Sequence, residues 1–171
     1  AITTNTTFYA VFATAEGVAS TDYAQITDIN NLTDGKYVIA YGYNNTTPSI
    51  ILKAATKDET TLVATSASPS SNKYQNPAAE NIWTIKKNGT TYTLYNDATS
   101  KYVQANTIPA LLLADANPTN FNIEYSTDHW KIKINDYTSY QLVGYTNASG
   151  NYFQTKSGAS NSYKIQLYKN T

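Results

Sequence analysis

At 171 residues the chain is long enough for one domain with its own core plus a short appendage, and a hydrophobic content of 41% excludes general disorder. Charged side chains make up only 14%, the net charge is zero and all 12 basic residues are Lys, which excludes the dense basic surface that a nucleic-acid partner requires. The absence of cysteine excludes disulfides, thiolate nucleophiles and Cys-bound metals, and no apolar run approaches the ~18 residues of a membrane helix, so membrane insertion is not expected.

Residues 1–14, AITTNTTFYAVFAT, form a strand-like unit. The string ITTNTTFYAVFA resembles the closing strand of the internalin-type B repeat (the Listeria–Bacteroides repeat) of bacterial surface proteins. That resemblance implies a spacer repeat ahead of this domain. Residues 15–22, AEGVASTD, are small and polar and read as a linker. The start lacks the basic, then apolar, pattern of a signal peptide, so the chain reads as a processed piece of something larger.

The main body, residues 23–171, is a succession of short alternating runs rich in Tyr, Thr, Ile and Val, which are strand residues. After YAQITDINNL (23–32) and the turn TDG, strands are expected at 36–41, 49–54 and 61–65. A polar segment, 66–80, follows, and its Pro69 and Pro77 argue against regular structure there. Strands then follow at 82–86, 92–95, 101–104, 110–114, 121–125, 130–134, 140–145, 152–155 and 163–168. Asn88-Gly89 between two alternating runs predicts a type I′ hairpin, and Asn96-Asp97 suits the next turn. No segment keeps a helical period for three turns.

Aligned with one another, these runs repeat. First strands carry Tyr37/Ile39, Tyr92/Leu94 and Trp130/Ile132; fourth strands carry Trp83/Ile85, Phe121/Ile123 and Tyr163/Ile165. Three units of four strands at a period of roughly 40 residues, lengthened once by the 66–80 insertion, predict an all-β β-trefoil, with a β-sandwich as the rival. The string NDATSKYV (96–103) resembles a segment of ricin-type and related trefoil modules, and NDYTSYQLV (135–143) and YNNTTPSII (43–51) follow it loosely. The Q-x-W triplet of true ricin-type lectins is absent, so that family's sugar sites do not carry over.

The chemistry is sparse. His129 is read as an exposed turn histidine, since Asp128 beside it in a strand would point to the opposite face and no nucleophile is at hand. Asp58, Glu59, Asp97, Asp115, Glu124 and Asp136 are scattered through turns and read as solvated acids rather than a glycosidase pair. Asn96-Asp97 and Asn135-Asp136 read as Asx turns rather than Ca²⁺ ligands. The expectation is therefore no enzyme, no cofactor and no metal.

The aromatics divide in two. Tyr37, Trp83, Tyr92, Phe121, Trp130 and Tyr163 occupy matching strand positions and are assigned to the core. Tyr43, Tyr74, Tyr137, Tyr145, Tyr152 and Phe153 are placed in turns or loops. A tyrosine face can cover the C–H groups of a sugar while neighbouring amides and carboxylates bond its hydroxyls. The candidate ligand-binding residues are thus Tyr43, Asn44, Asp97, Tyr102, Asp136, Tyr137, Tyr145 and Tyr152. The reading is a non-catalytic glycan-binding module, monomeric within a larger secreted or cell-surface bacterial protein. A structural or adhesive module docking a cell-surface protein is the alternative. A loop-based protease inhibitor ranks below both, because the 66–80 segment offers only Lys73 as a basic anchor.

Overall fold

The computed structural model describes residues 21–106 and 110–171. The strand read at 1–14 and nearly all of the linker lie outside the described residues. Within them the chain forms β1 (Asp22–Ile26), β2 (Gly35–Tyr43), β3 (Ile50–Asp58), β4 (Thr61–Ser66), β5 (Lys73–Gln75), β6 (Trp83–Asn88) and β7 (Thr91–Asn96). It continues as β8 (Lys101–Asn106), β9 (Ala110–Ala114), β10 (Phe121–Ser126), β11 (His129–Ile134), β12 (Tyr137–Asn147), β13 (Gly150–Ser157) and β14 (Tyr163–Asn170).

Strand pairing decides between the two architectures. β2 pairs with β6 (Tyr37 with Trp83), β6 with β7 (Ile85 with Leu94), and β7 with β10 (Tyr92 with Phe121). β10 pairs with β11 (Ile123 with Ile132), β11 with β14 (Trp130 with Ile165), and β14 returns to β2 (Leu167 with Ile39). The six strands close a ring, which two stacked sheets cannot do. Each unit adds a hairpin: β3–β4, β8–β9 and β12–β13. The hairpins meet one another, with Leu62 of β4 opposite Phe153 of β13 and β9 against both strands. Three four-strand units around a closed barrel make a β-trefoil, as the repeat predicts.

The repeat exists because matching apolar positions fill one core. Tyr37, Trp83, Phe121 and Trp130 are buried with Ile39, Ile85, Leu94, Ile132 and Ile165. Each buried large side chain contributes on the order of 2 kcal/mol from apolar area. Both indole N–H groups keep an acceptor: Trp83 donates to the Leu52 carbonyl at 3.1 Å and Trp130 to that of Ile26 at 2.9 Å. Tyr92 and Tyr163 depart from the expected pattern, since both are only partly buried against this core. At those two points Leu94 and Ile165 fill the interior and the tyrosines lie at its margin.

Five further expectations need correction. Asn88 pairs with Thr91, so the first hairpin turns on Gly89-Thr90 and not on Asn88-Gly89. Gly89 has φ +64 while Thr90 stays out of the positive-φ region, which places glycine at the first central position as a type II′ turn requires. The 66–80 insertion contains β5, held between its two prolines and bracketed by left-handed Asn72 and Asn76. β5 pairs with β1 through Tyr23 and Tyr74, so Tyr74 is buried edge-on against Tyr168 and is no loop residue. Phe153 is likewise buried, facing Tyr41 across the core.

His129 is the fifth. It is 2% exposed, and its Nδ1 lies 2.8 Å from Asp128 Oδ1. Asp128 precedes the strand in a turn reversed at Thr127 (φ +60), so the alternation of faces does not separate the pair. Lys164 and then His129 hold the Asp128 carboxyl below the usual carboxylate range. Gln166 Nε2 donates to the Asp128 carbonyl at 2.8 Å and Gln25 Nε2 to Gln166 Oε1 at 2.9 Å. This network ties β1, β11 and β14 together as structure.

Candidate functional site

The eight predicted residues fall into three places. Asp97 and Tyr102 flank the β7–β8 turn, where both are already engaged. Asp97 accepts from Thr84 Oγ1 at 2.8 Å and sits 3.5 Å from Lys36, while the Tyr102 ring leans on Tyr95 at 4.7 Å. Neither residue lines any of the cavities described below.

Asp136 and Tyr137 border a trough of about 430 Å³ where the second and third units meet. Its other walls are the end of β8 at Asn106, the lead into β10 at Pro118, Thr119 and Asn120, and Ile134. The local chain explains the presentation. Ile134 pairs with Tyr137 around the two-residue turn Asn135-Asp136, and the β11–β12 register then shifts between Lys133 and Ile134. Such an irregularity re-aims side chains, and Tyr137 stands 54% exposed. Asp136 Oδ1 accepts from Asn135 Nδ2 at 2.9 Å, which leaves Oδ2 without a partner among the described residues. Asn120 Oδ1 accepts from Asn88 Nδ2 at 3.2 Å, leaving its amide N–H groups directed elsewhere. An exposed aromatic face therefore lies beside one carboxylate oxygen and one amide donor.

Tyr43, Asn44, Tyr145 and Tyr152 come together at the seam of the first and third units, with Tyr41 and Tyr163. Tyr43 is 56% exposed and meets Tyr163 edge-on at 5.5 Å, and the Tyr145 and Tyr152 rings stack at 5.0 Å. Asn44, in the left-handed region at φ +53, donates its N–H to the Ser162 carbonyl at 2.8 Å and so pins the end of β2 to the start of β14. Gly144 is required beneath the cluster, because a Cβ there would lie 2.5 Å from the Tyr41 ring. Tyr145 and Tyr152 belong to paired strands and not to loops.

Sequence reasoning missed Tyr163, whose strand position pointed to the core, and Asn120, which no motif marks. A cleft of about 340 Å³ under the insertion has the reverse character: Asn81 Nδ2 donates to the Leu52 carbonyl, and the Tyr74 hydroxyl to that of Ala67, so its polar groups serve the fold.

The fold and the trough define a β-trefoil with an aromatic and polar depression between two of its units. No family model matches the chain, and no curated protein matches it. Among solved structures the chain is similar to a mosquitocidal holotoxin, with a TM-score of 0.58 and 16% identity over 84% of this chain. The match spans 18% of the holotoxin chain, so the likeness is one of fold with a fraction of that toxin. Among the described residues no helix is long and apolar enough to cross a membrane.

Proposed function

We propose that the chain is a non-catalytic glycan-binding module, with the trough at Asp136 and Tyr137 as its sugar site. One observation carries this reading. An exposed tyrosine ring lies beside a carboxylate oxygen and an amide N–H donor group that lack partners among the described residues, in a depression of about 430 Å³, room enough for a sugar ring. The Tyr137 ring would cover the C–H face of a sugar, while Asp136 and the Asn120 amide bond its hydroxyls. The match to 18% of a larger toxin chain supports a module built into a larger protein. The few charges, and the surface-repeat resemblance of residues 1–14, support placing that protein in the secreted or cell-surface class.

Titration with neutral mono- and disaccharides, followed by calorimetry, tests the proposal. Binding in the millimolar range is the expected result, with Asp136→Asn and Tyr137→Ala each weakening it by about tenfold, roughly 1.4 kcal/mol. Both residues are exposed, so far-ultraviolet circular dichroism should not change. Absence of binding by any neutral sugar at 10 mM or so would set this site aside and favour the adhesive reading.

A further inference from the structure

The tyrosine cluster shares no residue with the trough. Its cavity of about 250 Å³ is walled by Tyr41, Tyr43, Tyr145, Thr146 and Tyr163. The Tyr163 ring is its centre, 5.5 Å from Tyr43, 6.0 Å from Tyr145 and 6.3 Å from Tyr41. Two cations stand over rings of the cluster. Lys57 Nζ lies 4.5 Å above the Tyr152 ring and Lys156 Nζ 5.6 Å from the Tyr163 ring. Lys57 shares its charge with Asp58 at 4.0 Å, whereas Lys156 has no carboxylate partner among the described residues. No acid lines the cavity.

Burial raises the Tyr41 phenol well above its ordinary value, and Tyr163, Tyr145 and Tyr43 add to the effect. Burial and then Tyr145 raise Tyr163, and the Lys156 ammonium opposes them. The Tyr41 and Tyr163 phenols therefore remain O–H donors at neutral pH, the second of them with the Lys156 ammonium over its ring. Packing across the seam accounts for buried Tyr41. It does not account for a Tyr43 that is 56% exposed or for a lysine held over the Tyr163 ring with no carboxylate partner among the described residues.

We propose that this cavity is a second site, independent of the trough, for a sugar bearing a carboxylate or a sulfate ester. The anionic group takes Lys156 and the phenol O–H donors, and the C–H face of its ring lies on Tyr43 and Tyr145. Neutral sugars gain only the ring contact here. An added anion within the cavity meets no like charge.

Calorimetry with sialyllactose, sulfated lactose and unmodified lactose is the test. At least one anionic sugar is expected to bind about tenfold more tightly than lactose, and which one does so separates carboxylate from sulfate. That advantage should shrink with added salt. Lys156→Gln should abolish it with little loss of thermal stability, because Lys156 has no carboxylate partner among the described residues and gives up only its contact with the Tyr163 ring. Tyr137→Ala, which reports on the trough, should leave it in place. The proposal is overturned if neither anionic sugar exceeds lactose, if Lys156→Gln keeps the advantage, or if Tyr137→Ala removes it.

Discussion

Trp83→Ala is expected to lower stability by roughly 3–5 kcal/mol, the range for emptying a buried large aromatic site. Trp83 is 0% exposed, opposes Tyr37 in the barrel and reaches the Leu52 carbonyl through its indole N–H. The lost hydrogen bond is the smaller part. Leu52 O also accepts from Asn81 Nδ2 at 3.2 Å, so the carbonyl keeps a partner when the indole is removed. What remains is a cavity in the middle of a closed ring, where strands fixed on both sides have little freedom to collapse into it. For a chain of this size the melting temperature should fall by roughly 10 °C. Trp83→Phe should recover much of the loss by refilling the volume. Calorimetric melting of the three proteins checks this, and an Ala variant melting within about 2 °C of the parent would contradict the central role of the residue.

The second large effect belongs to a polar residue. Asn96 is 0% exposed, and all of its hydrogen-bonding groups are matched. Its Nδ2 donates to the carbonyls of Ala79 at 3.1 Å and Ile82 at 2.8 Å, and its Oδ1 accepts from the Thr99 N–H at 2.9 Å and hydroxyl at 3.0 Å. One side chain thus closes its own turn and fastens the end of the insertion to the second unit. Asn96→Ala should cost about 2–4 kcal/mol, since several buried groups lose a partner at once, at about 1–3 kcal/mol each. Asn96→Asp should not rescue it at neutral pH, because a carboxylate would face two carbonyl oxygens that need a donor. Guanidinium unfolding of both variants is the measurement, and an Asp variant as stable as the parent would refute the assigned orientation of the amide.

These two residues also mark how far the sequence could be read. Trp83 was legible because the alternation of apolar residues reports which face a strand buries, and the same positions recur in every unit. Asn96 was legible only in part. Its Asx turn is written in the neighbouring residues, but its bonds to Ala79 and Ile82 depend on tertiary approach. Tyr163 and His129 show the same boundary from the other side. Tyr163 has the spacing of a core residue, yet it begins its strand beside Tyr43 and Tyr145, which are distant in sequence. His129 looked solvent-facing because nothing local announces Gln166 or Lys164 on β14. The candidate sites were the least legible part for this reason. The trough is formed by β8, the lead into β10 and the β11–β12 turn, and the tyrosine cavity by β2, β12 and β14. Residue type suggested Tyr137, Asp136, Tyr43 and Tyr145, but only strand register decides which of them share a cavity.

The closing seam of the barrel has a further consequence, in time. Rungs such as Tyr37 with Lys169 and Tyr43 with Tyr163 join the start of the trefoil to its end. Hairpins such as β6–β7 and β10–β11 close short loops and can form on the microsecond scale, roughly 1–10 μs. The β2–β14 seam must first bring nearly the whole chain into register, and the entropy of that closure is lost before any of its rungs is gained. Folding should therefore wait on this seam, on the order of milliseconds to seconds. Until it forms, Tyr41, Tyr43 and Tyr163 stand on separated strands, so the tyrosine cavity is among the last parts of the molecule to come into being.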